Sequence, residues 1–294
     1  MVNMQFNLYQ DVKAFYNDAY SILLRHEAQN MIILGNLMIG YEGKDTHAWR
    51  DPASWVMATI SNEQGILLTA LMTPPFNITL HATDNQRDEK ALKCLVDGLL
   101  ANKIAVPGVV AEKSLAESFA RHYIDVTKMG DEVTFNQRIY ELEAVNPEIR
   151  QIGKLRLAEA TDMSFFPYWT EGLSKDALNG VGAVQSDPEN YLYHIQTGAL
   201  YILEDEGMPV SMAKISRRID KVCGIGYVYT PPYFRKKGYA SSCVAQLSRL
   251  ALEQGYQKCV LYTDLANPTS NAIYQKIGYK PICDSVEIKF MDVE

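Results

Sequence analysis

The chain lacks any apolar run approaching the ~18 residues of a membrane-spanning helix, so no membrane partner is expected. Met1 to Phe6 has no basic region leading into an apolar stretch, which argues against a secretory signal and for a cytoplasmic location. Cysteine is scarce. The five, Cys94, Cys223, Cys243, Cys259 and Cys283, are odd in number, scattered and free of Cys-x-x-Cys spacing. That usage excludes a disulfide framework and fits reduced cytoplasmic thiols. No His/Cys cluster has metal-ligand spacing, so no metal is expected. Positive charge is also short: 28 Lys and Arg stand against 35 Asp and Glu, a net −7. Residues 1–150 carry most of that imbalance, 13 basic against 19 acidic. An acidic front half repels phosphate backbones, so nucleic acid is not an expected partner.

What is present fits two cores. A length of 294 residues with 47% hydrophobic and 21% charged content is long for one domain and comfortable for two. The seam falls at Ala144 to Gly153, where Asn146-Pro147-Glu148 interrupts two strand-like runs, giving expected domains 1–146 and 152–294. After the seam, a strand begins at Lys154 and two helical stretches follow, one after Asp162 and one near Pro188 to Gln196. Strands come next at Ala199–Glu204, Met208–Ile215 and Val222–Tyr229, then a long helix, a buried strand, a short helix and a strand at Ile282–Phe290. The front half repeats this order without its first strand. Helices start at Val12 and Ala28, and strands cover Trp55–Ile60, Ile66–Met72 and Asn77–His81. A helix at Lys90–Leu100, a strand at Ala105–Val110, a helix at Ser114–Asp125 and a strand at Val133–Leu142 complete it.

Chemistry concentrates in Thr230-Pro231-Pro232-Tyr233-Phe234-Arg235-Lys236-Lys237-Gly238-Tyr239-Ala240, a basic turn leading from an apolar strand into a helix. A helix N-terminus offers unpaired N–H groups and partial positive charge, which suit phosphate. Gly238 permits close backbone approach, and Arg235, Lys236 and Lys237 add charge. The turn has no Walker spacing. Gly224-Ile225-Gly226 opens like a dinucleotide fingerprint, but it lies inside a strand and lacks that context. By itself, Arg-x-x-Gly-x-Ala is equally a solvated helix start.

A second segment follows the buried strand Lys258–Thr263: Asn267 as helix cap, Pro268 at the first helical position, then Ser270, Tyr274 and Gly278-Tyr279. Read alone, Ile273, Tyr274 and Ile277 are an ordinary core stripe. In order, the two segments resemble the cofactor site of the GNAT acetyltransferase superfamily, Arg/Gln-x-x-Gly-x-Gly/Ala followed by Asn-x-x-Ser-x-x-x-Tyr-x-x-x-Gly-Tyr.

The resemblance implies an α/β fold of α+β type, two tandem GNAT-like domains each with a mixed central sheet flanked by helices. It implies acetyl-CoA as cosubstrate, its diphosphate on the amides of Lys237 to Ala240. Val228, Tyr229 and Thr230 would lie by the thioester carbonyl, Asn267 and Ser270 by the pantetheine arm, and Tyr274 beside the sulfur as proton donor. Two positions depart from the family pattern. Lys236 stands where glycine is common, and Tyr233 where an acid is common; the expectation is that the backbone at 236 adjusts and a cation is gained. The front copy has no such turn in Ala82 to Glu89 and is expected to be degenerate, as in tandem-GNAT proteins with one working C-terminal domain.

A thiol has a pKa of about 8.5 and a phenol about 10, so Tyr274 can stay protonated until the sulfur departs. No general base stands out among Glu171, His194, Glu204, Asp220 and Asp284. The aromatics Phe165, Phe166, Tyr168, Trp169, Tyr191 and Tyr193 are either an acceptor lid or core. The favoured function is an N-acetyltransferase acting on a small-molecule amine acceptor, as monomer or homodimer. A protein or peptide N-acetyltransferase and a non-catalytic acyl-CoA-binding regulatory protein are the alternatives.

Overall fold

The computed structural model describes residues 3–43, 51–83, 88–177 and 188–293. They form two compact units, Met1–Ile139 with Ile282–Glu294, and Tyr140–Pro281.

The first unit opens with a strand that the sequence reading omits, Gln5–Tyr9 (β1). Only Phe6 and Leu8 mark its apolar face, too few to signal a strand against the polar Gln5 and Asn7. It pairs antiparallel with Val56–Asn62 (β2) from Gln5–Ser61 to Tyr9–Met57. Between them run Val12–Leu23 (α1) and Met31–Glu42 (α2). Asp11 starts α1 by accepting from the N–H groups of Lys13 and Ala14 at 3.1 and 3.3 Å. The helix α2 is apolar all round, with Met31, Ile33, Leu34 and Leu37 all buried.

Gly65–Met72 (β3) and Ile78–Ala82 (β4) extend the sheet antiparallel, and Gly108–Glu112 (β5) joins β4 in parallel. Glu89–Ala101 (α3) and Lys113–Thr127 (α4) cover this sheet. The strand Gly130–Leu142 (β6) follows, running in the first unit up to Ile139 and in the second from Tyr140.

The second unit contains Lys154–Leu157 (β7), Phe166–Ala177 (α5), Pro188–Gln196 (α6), Leu200–Asp205 (β8), Met208–Ile219 (β9) and Val222–Tyr229 (β10). Tyr239–Glu253 (α7), Lys258–Asp264 (β11) and Pro268–Ile277 (α8) complete it, and Lys280–Met291 (β12) carries the chain out again. Strands β7 to β10 are antiparallel neighbours, whereas β10 and β11 are parallel, so this sheet too is mixed. One face packs Tyr140, Cys223, Leu247, Leu261 and Ile277 with α7 and α8. The other packs Phe166, Tyr191, Ile202, Met212 and Tyr229 with α5 and α6.

The expected division at 1–146 and 152–294 therefore needs correction at both ends. Strand β12 pairs antiparallel with β5, from Ser285–Glu112 to Lys289–Gly108, and buries Val286, Ile288 and Phe290 among Leu95, Phe119 and Tyr123. An alternating apolar pattern marks a strand without naming its neighbour, so sequence proximity misassigned this one. The seam is also tied down. The Asn146 N–H donates to the Ile277 carbonyl at 2.8 Å and its side-chain amide to that of Lys276 at 3.1 Å, satisfying the end of α8. Gly278 closes that helix at φ 117°, and a Cβ there would lie 2.9 Å from the Ala144 carbonyl oxygen. Arg156 grips the buried Asp162 with two bonds of 2.7 and 2.9 Å, and reaches Glu204 at 3.0 Å.

Among the described residues, no helix is long and apolar enough to cross a membrane, and no group of side chains could hold a metal ion.

A chain ending at Pro281 should lose the first unit selectively. Removing three buried apolar side chains costs on the order of 5 kcal/mol, and hydrogen exchange should show the amides of α3 and α4 unprotected while α7 keeps its protection.

Candidate active site

The parallel ladder between β10 and β11 is short. It joins Val222 to Lys258, Cys223 to Cys259 and Gly224 to Val260, and stops, although both strands continue. On its other edge β10 stays with β9 but shifts register between Cys223 and Gly224, and again between Gly226 and Tyr229. Tyr227 sits inside the second shift at φ 54°. This is a β-bulge, which turns the strand and leaves residues outside the ladder. The in-strand glycines correctly signalled irregularity; that Tyr227 takes the left-handed conformation was not legible. Tyr227 and Val228 have no register partner on either neighbour, while Tyr229 pairs with Met212.

Past Tyr229 the chain is braced before it reaches α7. The Ser211 hydroxyl donates to the Tyr229 carbonyl at 3.0 Å and lies 2.9 Å from the Thr230 hydroxyl. Arg235 folds back: its Nε donates to the Thr230 carbonyl at 2.9 Å, and its guanidinium pairs with Asp176 of α5 and lies 5.6 Å from the Tyr229 ring centroid. The charge the sequence assigns to phosphate at Arg235 is thus shared with a carboxylate. Lys236 and Lys237 stay exposed, and Lys237 Nζ stands 5.1 Å from the ring centroid of the exposed Tyr233.

Lys236 corrects an expectation. The backbone there does not adjust but takes φ 62°, the left-handed conformation that glycine adopts without strain. Gly238 follows at φ 89° and precedes α7 with no side chain capping the helix. A Cβ at Gly238 would lie 3.2 Å from Ile152 Cδ1. The Tyr239 hydroxyl donates to Asp205 at 2.6 Å, and its ring lies edge-on to Phe234 at 6.3 Å. Ala240 forms the next step of the helix. Exposed amides, two cations and a glycine at a helix N-terminus fit a diphosphate.

Opposite, α8 begins at Asn267, whose side chain accepts from the Ser270 N–H at 3.0 Å. Capping therefore occupies the Asn267 oxygen. Tyr274 is 9% exposed, with its ring 6.5 Å from Tyr140 and 6.0 Å from Tyr279. Its hydroxyl has no protein hydrogen-bond partner among the described residues, and burial pushes its pKa up to about 12. Tyr279 differs: its hydroxyl lies 2.8 Å from that of Ser248, the arrangement of a structural tyrosine.

The candidate bases disperse. Asp284 lies in the first unit, held by Arg138 at 2.7 and 3.0 Å; Glu204 is taken by Arg156; Asp220 stands in the turn after β9. Glu171 is exposed and pairs with Lys175 at 2.7 Å. His194 is buried, with Nδ1 2.8 Å from Lys214 Nζ, and its ring packs edge-on against Tyr227 at 5.5 Å. Of the aromatics, Phe166 and Tyr191 are core, whereas Tyr168 is exposed. Sequence reasoning overlooked the pairing of Tyr227 with Lys214 and that of Asp176 with Arg235, since only the fold brings each pair together. In the front copy, residues 84–87 of the expected turn lie outside the described residues.

Residues 165–279 match the model of the acetyltransferase (GNAT) family. No curated protein matches the chain. Solved structures similar in fold include a GCN5-related N-acetyltransferase from Sphaerobacter thermophilus, 14% identical with TM-score 0.60, covering 98% of each chain. A GNAT-family acetyltransferase from Colwellia psychrerythraea is 10% identical with TM-score 0.56, covering 98% of this chain and 100% of its own. A tandem GNAT protein from the clavulanic acid biosynthesis pathway is 10% identical with TM-score 0.56, covering 99% and 100%. GNAT acetyltransferases use acetyl-CoA as acyl donor, and the parted strands, glycine turn and helix α8 all fall within the matched residues. The chain thus carries an acetyltransferase domain of the GNAT family, in a fold shared with tandem GNAT proteins.

Proposed function

We propose that the second unit is an N-acetyltransferase that moves an acetyl group from acetyl-CoA to the amine of a small molecule by direct attack. The observation that carries this reading is the parting of β10 from β11 beyond Gly224, which frees main-chain groups between a phosphate-suited turn and a buried phenol. Amides from Lys237 to Ala240 hold the diphosphate, helped by Lys236 and Lys237, while Arg235 keeps the turn in shape. The N–H of Val228, outside the ladder, polarises the thioester carbonyl beside Tyr229 and Thr230. Asn267 and Ser270 border the pantetheine arm. The neutral amine forms the new C–N bond as the C–S bond breaks.

Tyr274 meets the departing sulfur. With its pKa raised to about 12, the phenol stays protonated at any working pH. Complete transfer to a thiolate of pKa about 8.5 is uphill, so the hydroxyl first stabilises the sulfur by hydrogen bonding. The proton that leaves the amine balances the reaction. Most of the rate comes from holding the two substrates together, a term of roughly 7–11 kcal/mol.

The first unit serves no chemistry in this reading. The Tyr123 hydroxyl on α4 is committed to the Val106 N–H at 3.1 Å, and Phe119 is fully buried. Release of CoA thiol across a panel of small amines tests the proposal. Thermal stabilisation by acetyl-CoA without turnover of any amine or peptide would instead mark a binding protein.

Three variants sharpen it. Tyr274→Phe should lower kcat roughly 100-fold and leave the calorimetric affinity for CoA within about two-fold. Gly238→Asp sets bulk and negative charge against the diphosphate and should abolish CoA binding in the same titration. Lys236→Gly relieves a left-handed side chain, raising stability to urea by about 1 kcal/mol while weakening CoA binding a few-fold.

A further inference from the structure

Tyr140 is fully buried at the end of β6, yet its phenol is not idle packing. The hydroxyl donates to Asn271 Oδ1 at 3.0 Å and accepts from Gln275 Nε2 at 3.1 Å. These residues stand one helical turn apart on α8, with Tyr274 between them. Asn271 extends the network. Its Nδ2 donates to the carbonyls of Asp264 and Asn267, both at 2.8 Å, so the loop entering α8 is tied to the same point. The Tyr274 hydroxyl makes no hydrogen bond among the described residues. Ring packing and the rotation of α8 are what place its hydroxyl.

We propose that Tyr140 is a positioning residue for acyl transfer: through Asn271 and Gln275 it fixes the rotation of α8 and so the place of the Tyr274 hydroxyl. The inference rests on the acetyltransferase reading above and deepens it. A phenylalanine would fill the same space; what tyrosine adds is one donor and one acceptor, both spent on this helix. Backbone bonds within α8 hold its form but not its rotation about its own axis, which contacts from its side chains must set. None of Tyr140, Asn271 and Gln275 belongs to the Asn-x-x-Ser-x-x-x-Tyr pattern, so the clamp is a property of this chain's own side chains.

The test is a double-mutant cycle on thiol release from acetyl-CoA, with the best amine of the panel as acceptor. Tyr140→Phe should lower kcat about ten-fold, with KM for acetyl-CoA and calorimetric CoA affinity within about two-fold. In the Tyr274→Phe background the same change should have little further effect, because the group it positions is gone. Multiplicative losses, an unchanged kcat, or a large loss of CoA affinity would each overturn the proposal. Asn271→Ala, at a partly exposed site, should reproduce the kcat defect and covers the case in which Tyr140→Phe misfolds. If the wild type binds CoA but turns over no amine, the acetyltransferase reading fails by itself. Hydrogen exchange then decides the clamp: Tyr140→Phe must speed exchange in residues 264–277 while α7 is unchanged, and equal exchange in the two proteins refutes it.

Discussion

The site depends on one constraint, the failure of two parallel strands to remain paired. A strand inside a sheet spends its main-chain groups alternately on its two neighbours, and leaving those on one side unpaired is costly. Here the ladder ends at Gly224, and the bulge at Tyr227 keeps β10 from resuming it. Holding a non-glycine residue in the left-handed region costs on the order of 1–3 kcal/mol. Packing offsets that cost, since the Tyr227 ring is flanked by His194 at 5.5 Å and by the Lys214 ammonium at 5.1 Å. Strain in β10 and the opening beside it are one feature.

The turn before α7 divides its labour in a way that residue charge alone does not convey. Three consecutive cations look equivalent, but the rigid fork of a guanidinium can bridge two fixed acceptors, whereas an ammonium is a strongly hydrated point charge. Arg235 accordingly goes to Asp176 and the Thr230 carbonyl and stiffens the loop. The lysines keep their charge toward solvent.

Much of this was legible because punctuation is local. Asn267-Pro268 and Gly278 bound a helix whatever surrounds it, and both ends of α8 fall where those residues stand. Gly238 likewise announces the start of α7. What stayed hidden depends on partners distant in sequence. The strand β12 has the pattern of any edge of the second unit, and only pairing with Gly108 to Glu112 reveals its place. Tyr140 reads as a routine inward-facing strand residue, since its partners lie more than 130 positions away. Lys236 misled differently: steric preference favours a regular backbone, but the turn's geometry overrode it.

The return of β12 also bears on biosynthesis. Residues 113–279 separate β5 from the strand that covers its edge, so a growing chain carries that edge open while the whole second unit is made. An uncovered strand beside an apolar surface is a template for mispairing. The first unit, although translated first, can be completed only once its last strand has been made.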